Sequence, residues 1–140
     1  MLFNSHVKKI NEYKIIRDYY TNLKSEDTLV LNFDYSQNHP LPKLPNCEVF
    51  YKRLLWFFIF NIHIYYPKLS YFFYSIEGLY SKNGNSVCSY IFKLLNELNF
   101  YNENKQIIKE IILLSDATSS QNRNHSVLKF CLFLSIKYQI

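Results

Sequence analysis

The sequence predicts an α/β domain in which a mixed β-sheet, with elements in the order β-β-β-α-β-α, follows an N-terminal helix. Two short apolar runs, TLVLNF (28–33) and EIILLS (110–115), are rich in strand formers, and each is followed by an aspartate. Two aromatic-rich runs lie between them. In three other segments, apolar residues recur every three or four positions, which is the period of a helix. We therefore expect a sheet accompanied by helices.

Composition and charge narrow the class of protein. The chain has 140 residues, of which 49% are hydrophobic, so it can bury a core and is not of the disordered class. Its net charge is +5, and no acidic residue follows Asp116, which favours a polyanion as partner. Cys47, Cys88 and Cys131 are far apart and lie near apolar residues. This spacing favours buried free thiols over disulfides or a zinc site.

The chain divides into an N-terminal helical segment, residues 1–26, and a sheet domain, residues 27–140. The periodicity predicts a helix over 6–24, which either packs on the sheet or mediates self-association. The run SED at 25–27 then breaks the pattern. The apolar positions of this helix are Ile10, Tyr13, Ile16, Tyr20 and Leu23.

Further strands and helices are predicted within the sheet domain. The proline-rich segment 35–46 is expected to be an extended loop, and the aromatic-rich runs 49–65 and 70–76 an antiparallel pair. A helix should follow the turn at 81–86, and a last helix should cover 124–138. The candidate caps of the first of these helices are Asn83, Asn85 and Ser86.

Neither a membrane span nor a secretion signal is predicted. The apolar run at 54–66 has 13 residues and contains Asn61 and His63, whereas a spanning helix needs about 20 apolar residues. The start, MLFNSHVKK, lacks the apolar centre of a signal peptide. We therefore expect a nuclear or cytoplasmic protein, with a buried strand at 54–66.

Asp34 and Asp116 are the candidate metal ligands, because each follows a buried strand. A helical crossover allows these two strands to lie parallel and adjacent, with their carboxyl ends about 4.8 Å apart. Two carboxylates so close repel each other unless a cation lies between them, and Mg²⁺ prefers oxygen ligands. A pair of such ions can drive phosphodiester cleavage. The alternative is that each aspartate only accepts backbone N–H bonds in a turn.

Two motifs give the chain a resemblance to a known family. The first is Phe33-Asp34 with Gln37-Asn38, and the second is Ser115-Asp116 followed by residues 121–124, Gln-Asn-Arg-Asn. Over roughly residues 6–138 the chain resembles an uncharacterised transposase-derived family of animal mobile elements. Its members show F-D followed by Q-N-L-P-L-P, and later S-D-x-x-x-x-Q-N-K-N.

The resemblance implies a ribonuclease-H-like fold and metal-dependent cleavage and strand transfer on DNA. It also implies that Asp34 and Asp116 are the first two acids of a DDE-type catalytic set, which would bind Mg²⁺ or Mn²⁺. The four residues Gln121, Asn122, Arg123 and Asn124 become candidates for nucleic-acid binding, with helix capping as the alternative role.

The chain departs from the family pattern at the third acid. No Asp or Glu follows Asp116, so the sequence predicts a truncated domain, without the last strand and helix, that is inactive alone. Asn85-Ser86-Val87 stands where members often have Asn-Glu-Val, and Ser119-Ser120 where glycine is usual. Glu77 is the remaining acid that could serve as a metal ligand, although a solvated turn residue is the alternative.

Two other functions remain open at this point. One is a non-catalytic module that binds nucleic acid or protein, as the basic, acid-free C-terminal segment suggests. The other is a relic open reading frame whose product has no selected function.

Overall fold

The structure is a computed structural model that describes residues 2–41, 54–98, 108–116, 118 and 121–140, with the backbone alone at 2–6. Three helices and five strands are formed by these residues. In chain order they are α1 (Leu2–Asn22), β1 (Thr28–Tyr35), β2 (His39–Leu41), β3 (Leu55–Ile64), β4 (Leu69–Ile76), α2 (Gly84–Glu97), β5 (Glu110–Leu114) and α3 (His125–Tyr138).

The five strands form one mixed sheet. One edge of β3 pairs with β4, and its other edge pairs first with β2 and then with β1, all antiparallel. β5 lies on the far side of β1 and runs parallel to it. The predicted α/β class, the mixed sheet and the preceding helix are thus confirmed, as is the antiparallel pair on either side of Pro67.

The core lies on one face of the sheet, because alternate residues of each strand point to it. On β1 and β3 it is formed by Leu29, Leu31, Phe33, Tyr35, Phe58, Phe60, Ile62 and Ile64. The helices cover it with Val87, Ile91, Leu94, Leu95, Leu134 and Tyr138. The intervening β1 residues, which include Asn32 and Asp34, must therefore point to the opposite face.

Several elements differ in detail from their prediction. β1 continues to Tyr35, so Asp34 lies inside the strand and not after it. The predicted loop at 35–46 contains the short edge strand β2, while Pro42, Pro45 and Cys47 fall outside the described residues. Cys88 and Cys131 are free thiols, but Cys88 is only half-buried and Cys131 is exposed.

The N-terminal helix is confirmed, but it is not part of the core. Most of its apolar side chains are exposed, including Ile15 and Tyr19 at 70% and 64% of their surface. Among the described elements, α1 makes no extensive contact with any strand or helix. Self-association through this helix stays a prediction. In the part of the chain that is described, no helix has the length and apolar character needed to cross a bilayer.

Candidate functional site

The register of β1 and β5 brings Asp34 and Asp116 to the same end of the sheet. The parallel ladder runs from Thr28 opposite Glu110 to Asn32 opposite Leu114. Asp34 follows the last pair by two residues within β1, and Asp116 follows it by two residues beyond the end of β5, so both lie at the same end of this ladder. Both side chains are exposed to solvent. The parallel, adjacent pairing that sequence reasoning expects for these two strands is therefore present, whereas a shared metal site stays a prediction.

The carboxylate of Asp116 is held by its own turn. It accepts hydrogen bonds from the hydroxyl and the backbone N–H of Thr118, at 2.5 and 3.3 Å, and from Asn122 Nδ2 at 2.5 Å. These bonds favour the ionised form, so the Thr118 hydroxyl above all, then the Asn122 amide, lowers the pKa of Asp116. This is the turn arrangement that stood as the alternative to a metal site, and it keeps the carboxylate charged and oriented.

Asn122 is a buried polar residue beside this carboxylate. Its side chain is 9% exposed, and while Nδ2 donates to Asp116, its Oδ1 has no donor among the described residues. A buried amide oxygen without a partner is unfavourable, and a hydrogen-bond donor or a hard cation would satisfy it. Asn122 is therefore fixed by Asp116 and leaves one acceptor oxygen close to that acid.

Backbone hydrogen bonds join Thr118 to the residues that precede α3. The carbonyl of Thr118 accepts the backbone N–H groups of Gln121, Asn122 and Arg123. Asn124 then caps α3, since its Oδ1 accepts the N–H of Val127 at 3.1 Å. Of the four predicted nucleic-acid-binding residues, Asn124 thus has a capping role and Asn122 supports Asp116. The side chain of Arg123 is exposed.

Lys82 lies at the end of β1 near the candidate site, and sequence reasoning did not single it out. Its ammonium group donates to the Ser36 carbonyl at 3.2 Å and to Asn38 Oδ1 at 2.8 Å, and lies 4.8 Å from the centre of the Tyr35 ring. Burial lowers the pKa of Lys82, and the negative charge of Asp34 partly opposes that shift. No spacing in the sequence reveals this contact, because it joins the exit of β1 to the turn before α2.

The amino ends of α2 and α3 meet beside these residues. Gly84 packs against the Asn124 side chain, and farther along the two helices the Tyr138 hydroxyl lies 3.4 Å from Asn96 Oδ1. The helices therefore run parallel, with both amino ends at the carboxyl edge of β1 and β5. Aligned peptide dipoles place partial positive charge at that edge.

Glu77 is not brought to the two aspartates. It exchanges backbone and side-chain hydrogen bonds with Trp56, whose N–H donates to Glu77 Oε2 at 3.2 Å. Trp56 lies five positions along β3 from Asn61, the partner of Asp34, which is about 17 Å at the rise of a strand. Within the described residues, no three His, Cys, Asp or Glu side chains form a group that could hold a metal ion.

Comparison with known proteins gives no identification. No protein family, no curated protein and no solved structure matches the chain. The features that indicate a function are therefore the sequence motifs at Asp34 and Asp116 and the contacts of the sheet edge near them.

Proposed function

We propose that this chain is the remnant of a DDE-type transposase or nuclease domain with a ribonuclease-H-like fold. Its ancestral reaction is metal-dependent phosphodiester cleavage and strand transfer on DNA, and it is inactive alone. The observation that carries the proposal is the parallel pairing of β1 with β5, which brings Asp34 and Asp116 to the same end of the sheet. In that fold a strand that follows a crossover helix is expected to pair in parallel with the first strand, as β5 pairs with β1 after α2.

The chemistry follows from the two carboxylates. A divalent ion such as Mg²⁺ or Mn²⁺, held between them, would keep open positions for the oxygens of a phosphodiester. Asp116 is kept ionised by Thr118 and Asn122, as a metal ligand must be. Two acids supply fewer ligands than a two-ion site requires, so we expect weak metal binding and no turnover.

A titration with Mn²⁺, followed by calorimetry, tests the metal site. The natural chain should bind the ion weakly, and Asp34→Asn or Asp116→Asn should abolish binding. Asp27→Asn is the matched control, because Asp27 is an exposed acid at the opposite end of β1 whose ion pair is with Lys109. Equal binding by all four proteins would remove the basis of the proposal.

A cleavage assay tests the proposed inactivity. The substrate is DNA that carries the ends of the mobile element from which the domain would derive. With Mg²⁺, the natural chain should give no more cleaved product than Asp34→Asn. Robust turnover that Asp34→Asn abolishes would show instead that the two-acid site is sufficient.

A non-catalytic nucleic-acid-binding module is the second candidate. One observation in its favour is that hydrogen bonds already occupy the carboxylate of Asp116. Another is the basic character of the chain after Asp116, where Arg123 is exposed and α3 contains two lysines and no acidic residue. Such binding should weaken steeply with salt and persist in Asp34→Asn/Asp116→Asn. Binding that requires both Mg²⁺ and Asp116 would favour the first candidate.

A further inference from the structure

β4 (Leu69–Ile76) lies at one edge of the sheet. Among the described strands, only β3 pairs with it. The ladder continues to Glu77, whose N–H donates to the Trp56 carbonyl at 2.8 Å. Because the backbone groups of successive residues in an antiparallel strand point to opposite sides, every second residue counted back from Glu77 bonds to β3. The residues between them direct their N–H and C=O groups away from β3, and these are Ser70, Phe72, Tyr74 and Ile76.

The composition of β4 does not protect this edge from pairing. Natural sheets discourage edge-to-edge contact with charged residues, prolines or bulges. The sequence of the strand, LSYFFYSI, contains no charged residue and no proline, and its register with β3 has no bulge. Phe72 and Tyr74 are also mostly exposed. An uncharged, apolar edge of this length is a surface on which another strand can pair.

The flanks of β4 favour a second copy of the same strand as that partner. Lys68 precedes the strand and Glu77 follows it. In an antiparallel pair of two copies, the Lys68 end of each strand lies beside the Glu77 end of the other, so charges of opposite sign meet at both ends. A parallel pair would bring the two lysines together, and likewise the two glutamates. In its charges the strand is thus complementary to itself in the antiparallel direction.

We propose that two copies of this chain form a twofold dimer in which their β4 strands pair antiparallel and join the two sheets into one. In the register that uses every outward-pointing backbone group, Phe72 lies opposite Tyr74 of the second copy, and Ser70 lies opposite Ile76 of the second copy. These side chains are on the outer face of the sheet, so the pairing buries aromatic surface as well. Because both copies use the same edge, the assembly closes at the dimer.

The two candidate sites of such a dimer face opposite ways. β4 runs parallel to β1, since both are antiparallel to β3. Antiparallel pairing of the two β4 strands therefore places the carboxyl ends of the two β1 strands at opposite edges of the joined sheet. The inference does not depend on the proposed metal chemistry, because it is tested by the oligomeric state alone.

Sedimentation velocity at rising protein concentration tests the dimer. The natural chain should show a monomer–dimer equilibrium, and Phe72→Lys/Tyr74→Lys should raise its dissociation constant at least ~10-fold, because like charges then lie opposite each other. Ile15→Lys/Tyr19→Lys is the matched control, since it also replaces two exposed apolar residues by lysine, but on α1. Its dissociation constant should equal that of the natural chain. A monomer at every concentration, a species larger than a dimer, or loss of the dimer in the α1 variant would overturn the inference.

A change of charge tests the register. In Phe72→Lys/Tyr74→Glu, each lysine lies opposite a glutamate of the second copy, so this variant should dimerise at least ~10-fold more tightly than Phe72→Lys/Tyr74→Lys. Equal dissociation constants of the two variants would contradict the proposed pairing.

Amide hydrogen exchange in the natural chain, followed by NMR, covers the case in which the variants do not fold. The N–H groups of Phe72 and Tyr74 should exchange severalfold more slowly in a concentrated sample than in a dilute one, because the second copy then accepts their hydrogen bonds. The N–H groups of Tyr71 and Phe73 bond to β3 and should exchange slowly in both samples. Exchange at Phe72 and Tyr74 that does not depend on concentration would show that β4 does not pair with a second copy.

Discussion

Asp116 has one of the two roles that sequence reasoning had set against each other, that of a carboxylate which accepts hydrogen bonds from its own turn. A strand that ends in aspartate is compatible both with a metal ligand and with a carboxylate that accepts bonds from its own turn. In the structure the turn role is present, through Thr118 and Asn122, and β5 pairs in parallel with β1, while the metal-ligand role stays a prediction. The ends of both strands could be predicted to within two residues, since β5 ends two residues before Asp116 and β1 ends one residue after Asp34. Lys82 could not, since its contact depends on how α2 docks.

Removal of the Thr118 hydroxyl should raise the pKa of Asp116. In the natural chain this pKa is lowered from its ordinary value of 3.8, so the carboxylate's contribution to stability is complete above that value and is lost as the pH falls below it. Thr118→Val should bring the pKa back toward 3.8 and therefore make that contribution smaller. Carboxyl-detected NMR titration measures the change.

Thr21→Val is the control for this titration. Thr21 also donates its hydroxyl within its own local structure, to the Asp18 carbonyl on α1. The pKa of Asp116 should be the same in this variant as in the natural chain. An Asp116 pKa that Thr118→Val does not move would show that the short hydrogen bond does not form in solution.

At the scale of elements, the periodicity of apolar residues was enough to place both core helices, but not to choose their caps. Asn83, Asn85 and Ser86 are all suitable residues, and only Asn83 has the extended backbone from which its side chain accepts the Ser86 N–H. The choice depends on where the helix begins, which a pattern of apolar residues defines only to within a residue or two.

Asn83→Ala should therefore destabilise the protein by about 1 kcal/mol, because one N–H at the start of α2 loses its acceptor. Asn85 lies two residues later and its side chain is exposed, so Asn85→Ala should change the free energy of unfolding by less than about 0.5 kcal/mol. Urea unfolding compares the two. Equal losses would place the cap elsewhere.

Gly84 lies at the packing contact between α2 and α3. A methyl group at this position would lie 2.4 Å from Asn124 Nδ2, and Asn124 is the cap of α3. Although alanine is the better helix former, Gly84→Ala should lower stability by about 1 kcal/mol, since it displaces that cap.

A double-mutant cycle checks the cause. In an Asn124→Ala background the obstruction is gone, so Gly84→Ala should become neutral or stabilising, with a coupling energy of about 1 kcal/mol or more. Additive effects of the two substitutions would show that the contact has no energetic role.

On the scale of the whole molecule, the two faces of the sheet differ in what covers them. The face toward α2 and α3 holds the core, whereas Phe72 and Tyr74 on the other face of β4 are 55% and 62% exposed. The alternation within each strand was readable from the sequence. The sequence did not show which of the two alternating sets of side chains faces the helices, because both sets are rich in aromatic residues.

Phe60→Ala and Phe72→Ala make this difference measurable. Phe60 is fully buried among Phe33, Tyr35 and Tyr90, so its truncation should lower the free energy of unfolding by about 3–5 kcal/mol. Phe72 is more than half exposed, and its truncation should lower it by under about 1 kcal/mol. Similar losses at both positions, measured by urea unfolding, would indicate that the outer face is covered in solution.

The pairing of β1 with β5 has a consequence for the order of folding. Thr28 and Glu110, at the start of that ladder, are 82 residues apart, whereas β3 and β4 are joined by a four-residue turn. Closing the longer loop costs more chain entropy, so we expect the β3–β4 hairpin to form early and β5 to dock late. Asp34 and Asp116 then reach the same end of the sheet only in the last steps of folding, and during synthesis only after the ribosome has released β5. A chain that is still being synthesised can therefore contain the β3–β4 hairpin before β5 has paired with β1.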